Sequence, residues 1–127
     1  YSWRFPRGDR GGNLYTIVTP YANNLHAYWD RGAGLFRGTP LSVLVARIQK
    51  AYPPRVFKSN LYDDNPFDWV DRGYQLAKDV AYTVQLNSEQ NPKYVKMAQE
   101  IVKRRIALAG YRLANMLNAI MQPQPEG

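Results

Sequence analysis

At 127 residues the chain is long enough to fold as one domain with a buried core, since chains of this size hide roughly two-thirds of their unfolded surface. It has no cysteine, which excludes disulfides and thiolate metal sites, and no run approaching the ~20 apolar residues of a membrane-spanning helix. Seventeen Lys and Arg against ten Asp and Glu leave a formal charge of +7, a balance that favours polyanions or anionic surfaces and makes such binding sensitive to salt.

Gly8 through Asn13 carries the Gly, Asp and Asn of a tight turn, and Leu14 through Thr19 is rich in β-branched and aromatic residues. A short strand is expected there, alone or as half of a hairpin, ending at Pro20. Asn23 or Asn24 can cap a short helix that carries His26 and Asp30 until Gly32-Ala33-Gly34 breaks it. Thr39-Pro40 reads as a cap followed by proline at the first helical position. Leu41, Leu44, Val45, Ile48 and Tyr52 then recur at helical spacing as far as Pro53-Pro54.

Asn65-Pro66 repeats the cap-and-proline signal, with Asp68 in the first turn and Trp69, Gly73, Leu76 and Val80 on one face. Asn91-Pro92 gives it a third time and opens a long helix. Its expected apolar stripe runs through Ala98, Val102, Ile106, Ala109, Leu113, Leu117 and Ile120. Gly110 costs ~1 kcal/mol relative to alanine inside a helix, so a close backbone neighbour is expected, as at a tight helix crossing. The reading is a mainly α chain: four helices, one short strand or hairpin near the N-terminus, residues 1–121 as one packed unit, and residues 122–127 as a flexible tail.

His26 is the only histidine, and it lies four residues before Asp30. On a helix the imidazole and the carboxylate then project from the same face and can grip one metal ion. Arg4, Arg7 and Arg10 crowd the first turn, while Lys93, Lys96, Lys103, Arg104, Arg105 and Arg112 concentrate on the last helix. That second group reads as a solvated helix face rather than a phosphate track.

Gly8-Asp9-Arg10-Gly11-Gly12-Asn13, then a strand, then Asn24-Leu25-His26-Ala27-Tyr28-Trp29-Asp30 resembles the zinc-dependent single-strand-specific nucleases, a family that includes a bacterial phospholipase C. Trp69 with Leu76-Ala77 and Tyr82 resembles the family's next helix. Ala109-Gly110-Tyr111-Arg112-Leu113-Ala114 with Leu117-Asn118 resembles its closing helix, so the likeness covers nearly the whole chain. It implies a helical phospholipase C/nuclease-type fold with three zinc ions in one cleft. The implied reaction is hydrolysis of single-stranded DNA or RNA, and of 3′-phosphates, by metal-activated water.

Members of that family are longer than this chain, so the resemblance implies the C-terminal part of a larger enzyme, incomplete as it stands. It also implies a secreted or periplasmic location. Only His26 and Asp30 match zinc-ligand positions, and both belong to the same one of the three ions. The third protein ligand of that ion, a histidine, has no counterpart, and Trp3 does not match the family's N-terminal tryptophan. No catalytic residue beyond the metal ligands is carried over, and the isolated chain is expected to be inactive.

By resemblance Asp9 and Asn13 sit in a loop beside the cleft, as candidates for orienting ligands or substrate, with a turn-forming role equally open. Arg31 follows the ligand Asp30 and can either reach a phosphate or cap the helix, and Asp63 and Asp64 are further carboxylates. The expected partners are single-stranded nucleic acid or nucleotides, together with the absent N-terminal half or a second copy packed on exposed helix faces. The alternatives are a phospholipase C acting on phospholipid head groups, a non-catalytic basic helical module that binds nucleic acid by charge, and an inert assembly unit.

Overall fold

The structure, a computed structural model, describes residues 4–122. Trp3 and residues 123–127 of the expected tail 122–127 lie outside the described residues. The order is β1 (Thr16–Thr19), β2 (Ala22–Asn24), α1 (Leu25–Asp30), α2 (Leu41–Ala51), α3 (Pro66–Asp79) and α4 (Pro92–Met121), with short 3-10 turns between them. Among the described residues the chain is mainly α, with four α-helices and one two-stranded hairpin near the N-terminus, as expected.

β1 and β2 pair antiparallel, with Thr16 opposite Asn24 and Thr19 opposite Ala22, and a register irregularity between them. The outer edge of β1 is covered by chain from much later. Val18 N–H donates to the Ser88 carbonyl at 2.9 Å, and Asn87 N–H donates to that of Thr16 at 2.6 Å. This contact pins the hairpin to the approach of α4 and leaves fewer free edge groups.

Two of the three cap-and-proline signals form as read. Asn65 Oδ1 accepts from Phe67 N–H and Asn91 Oδ1 accepts from Tyr94 N–H, each with proline in the first turn behind it. At the third, the helix starts one residue late. Pro40 is itself the cap, extended at ψ 139°, and no side chain bonds the first turn, so Thr39 does not cap. Proline's φ suits both conformations, and here its ψ stays extended.

The core has two clusters. The first joins the hairpin, α1 and the start of α4 through Ile17, Leu25, Tyr28, Ala33, Tyr94 and Ala98. Tyr28 stacks on Tyr21 at 5.9 Å between ring centres and packs near Tyr94 at 6.1 Å. The second joins α2 to the middle of α4 through Leu44, Ile48, Phe57, Ala107 and Leu108.

The long apolar stripe on α4 does not survive as one buried face. Ala98 is buried, but Ile106, Leu113, Leu117 and Ile120 are exposed, while Ala107, Leu108 and Arg112 are the buried residues of the middle. The physical reason is a change of neighbour along the helix: the chain around Phe57 and α2 packs on a side rotated from the one the hairpin covers. Gly110 likewise departs from expectation. A Cβ built there meets nothing within 4 Å among the described residues, so no helix crosses tightly at that point.

Candidate metal centre and its cleft

The loop before β1 exists to wrap the first turn of α1. Asp9 Oδ1 accepts from Gly12 N–H at 3.1 Å, and Asn13 Nδ2 donates to the Arg10 carbonyl at 2.9 Å. Both side chains thus serve the turn, as Asp and Asn readily do. Gly12 holds φ +91°, and a Cβ there would stand 3.0 Å from the His26 backbone nitrogen. Only glycine lets the loop come this close, and the Gly12 carbonyl then accepts from His26 N–H at 3.3 Å.

That approach delivers the Gly11 carbonyl to the His26 ring, 3.0 Å from Nδ1. A carbonyl only accepts, so Nδ1 is the nitrogen that donates to it and Nε2 is directed elsewhere. It faces Asp30 Oδ2 at 3.1 Å, one helical turn on. Between Nε2 and the carboxylate oxygen there is room for one positive species, a proton or a metal cation, to be shared. The His26 and Asp30 side chains are 46% and 70% exposed, so an ion can reach them. Asn24 caps α1 by accepting from Ala27 N–H at 2.8 Å, which fixes the helix that carries the pair.

The pair opens on a cleft of about 630 Å³. α1 and the loop form one side, Gly73, Leu76 and Ala77 of α3 another, and Val102, Arg105 and Ile106 of α4 the third. Tyr82 stands at its edge. Burial, and then the Asp9 carboxylate beside it, push the Tyr82 hydroxyl up to about 12, so it remains an O–H donor at neutral pH.

Arg31 sits at the C-cap of α1, where its side chain donates to the Tyr21 carbonyl. Asp63 accepts from Asn65 N–H at 3.1 Å and pairs with Arg72 at 3.2 Å, away from the cleft lining, and Asp64 does not border the cleft either. Among the described residues no three of His, Cys, Asp and Glu come together to hold a metal. Sequence reasoning missed two participants. The Gly11 carbonyl leaves no side-chain signal, and Arg105 was read with the solvated face although it lines the cleft.

Comparison with curated proteins and with solved structures returns no match. A family profile described as S1/P1 Nuclease covers residues 4–122. The match runs through the loop, the His26–Asp30 helix and all of α4, and the chain belongs to the S1/P1 nuclease family.

Proposed function

We propose that this chain supplies three sides of the cleft and two metal ligands of a zinc-dependent phosphodiesterase that hydrolyses single-stranded DNA or RNA, and nucleotide 3′-phosphates. The observation that carries this reading is the setting of the His26 ring: the Gly11 carbonyl lies 3.0 Å from Nδ1 and Nε2 is presented 3.1 Å from the Asp30 carboxylate. An imidazole nitrogen with a carboxylate oxygen is a donor set that suits zinc.

The fit is partial in number. A catalytic zinc ordinarily takes three protein ligands and a water, and two are present, so the remaining donors belong to polypeptide other than the described residues. When bound, zinc supplies a Lewis acid for a phosphate oxygen and lowers the pKa of a coordinated water toward ~7. The chain's own residues bind and orient. His26 is held in one ring orientation by Gly11, Asp30 keeps its second oxygen for a water or a hydrogen bond, and Tyr82 lines the cleft with its hydroxyl beside Asp9. Asp9 and Asn13 contribute by shaping the loop, and Arg31 by tying α1 to the hairpin.

The polypeptide that brings the other donors also covers the exposed apolar side of α4, and the working enzyme is exported. No helix among the described residues is long and apolar enough to cross a membrane. The test is zinc stoichiometry by atomic emission in the active protein that contains this chain. His26→Ala and Asp30→Asn each lower zinc content and cleavage of single-stranded DNA by a large factor, and the 127-residue chain alone cleaves at background. Unchanged zinc in both variants, or robust cleavage by the chain alone, overturns the reading.

A further inference from the structure

Arg105 lies on α4 and is partly buried as a residue, and among the described residues its side chain makes no hydrogen bond and no ion pair. Its N–H donors therefore have no protein acceptor among the described residues and stay open to solvent, so a ligand oxyanion can reach them. The surroundings add charge of the same sign. Burial first, then the neighbouring guanidiniums of Arg72 and Arg104, hold the Arg105 group below the ordinary arginine value. Arg112 is 8% exposed, gives Nε–H to the Asn60 carbonyl at 3.1 Å, lies over the Trp69 ring at 5.1 Å, and leaves Nη2 buried without a partner. Asp63, the carboxylate that faces Arg112, is engaged by Arg72 at 3.2 Å.

Two cavities meet at Arg105. One is the cleft that holds His26 and Asp30; the other, of about 480 Å³, is bordered by Trp69 and Arg112. A guanidinium in that position faces the cleft where a substrate strand would run, and its planar fork of donors matches the oxygens of a phosphate.

We propose that Arg105 is a phosphate-binding residue that anchors the backbone of the substrate strand in the cleft, at a phosphate other than the one at the His26–Asp30 pair. Arg72 and Arg112 set the positive field around it. The identification of the ligand as a nucleic-acid strand rests on the proposed nuclease function, whereas the oxyanion site itself rests on the unpaired guanidinium. Arg105 acts as a positioning residue, binding charge before any reaction.

The experiment uses the full chain in EDTA, so that metal and cleavage play no part, and follows binding of a short oligothymidylate against salt concentration. Arg105→Ala weakens binding about tenfold and lowers the salt slope by about 0.7, the value for one phosphate of a single strand. Arg105→Lys keeps the charge and loses the fork, and gives an intermediate affinity with the slope retained. Lys50→Ala, which removes a charge from the last turn of α2, matches the parent.

Inorganic phosphate distinguishes the ligand's source. Competition with the oligonucleotide in the parent but not in Arg105→Ala supports a site that also takes free phosphate. Loss of slope in Arg105→Ala without such competition supports a site that needs the strand. Affinity and slope in Arg105→Ala equal to the parent overturn the proposal and leave the guanidinium to a protein carboxylate. That result is separable from failure of the nuclease reading, which is decided by zinc content and cleavage in the His26 and Asp30 variants.

Discussion

The hairpin with α1 and the outer half of α4 are both rich in large apolar side chains, yet they end in opposite situations. Tyr28, Ala33 and Ala98 are fully buried, whereas Leu113 is 57% exposed and Ile120 is 77% exposed. The difference follows from neighbours rather than composition. Around Tyr28, the hairpin, a 3-10 turn and α4 converge, and hydrogen bonds such as Trp29 Nε1–H to the Tyr94 hydroxyl at 3.0 Å lock the rings. Leu113 only borders the open cavity beside Trp69, and no element among the described residues closes over it. One wall of the cleft is therefore a packed platform, and the others are helices with an unpartnered side.

Truncation is the most direct way to break this contrast. Tyr28→Ala should cost about 3–4 kcal/mol, the range for emptying a large aromatic from a core, while Ile120→Ala should change stability by less than ~0.5 kcal/mol. Urea denaturation of the two variants measures both, and similar costs would show that the outer half of α4 is buried in solution.

The loop that serves the platform is the next target. Gly12→Ala places a methyl group against the His26 backbone at a left-handed φ, so it should cost about 1–3 kcal/mol and loosen His26 from the Gly11 carbonyl. The His26 ring 15N shifts report the change, because loss of that bond lets the proton exchange between the two nitrogens. Unchanged shifts would mean the loop does not set the tautomer.

A smaller effect of opposite sign sharpens the comparison on α4. Gly110→Ala adds a methyl group into open space in a helix interior, and should stabilise the isolated chain by up to about 1 kcal/mol. In a complex where another polypeptide packs over that position, the same substitution should weaken assembly. A melting-temperature shift against a binding assay separates the two.

The smallest effect concerns Glu100, whose carboxyl is held below its usual 4.5 by Lys103 first and by the Tyr52 hydroxyl second. A carboxylate lowered by folding adds stability that is present above its unfolded value and is lost as pH falls through its folded value. Glu100→Gln should therefore cost about 0.5 kcal/mol at neutral pH, since the carboxylate is half-exposed and screened, and should cost nothing once the solution is well below pH ~4. A cost that persists in acid would assign it to the Tyr52 hydrogen bond instead.

Much of the scaffold was legible because its signals are local. Asn65 and Asn91 cap helices through their own side chains within three residues, and Asn24 does the same for α1. Thr39-Pro40 failed as a signal because the residue pair permits two starts and the sequence does not choose between them. The α4 stripe failed for a different reason. Periodicity reports which residues could share a buried face, but the face that is buried depends on which element arrives, and two different elements arrive along one helix.

By itself the amino-acid sequence determined the helical class, the hairpin-to-helix passage and the placing of His26 and Asp30 on one face, because caps, prolines and i, i+4 spacing act over a few bonded residues. Only the tertiary structure decided that the Gly11 carbonyl meets the His26 ring at Nδ1, that the pair opens on a cleft shared by α3 and α4, and that Arg105 lines this cleft without a protein acceptor among the described residues. Gly11 and His26 are 15 residues apart, and His26 and Arg105 belong to opposite ends of the chain. Contacts over such separations depend on how whole elements pack, and that packing leaves no periodic mark in the residues it brings together.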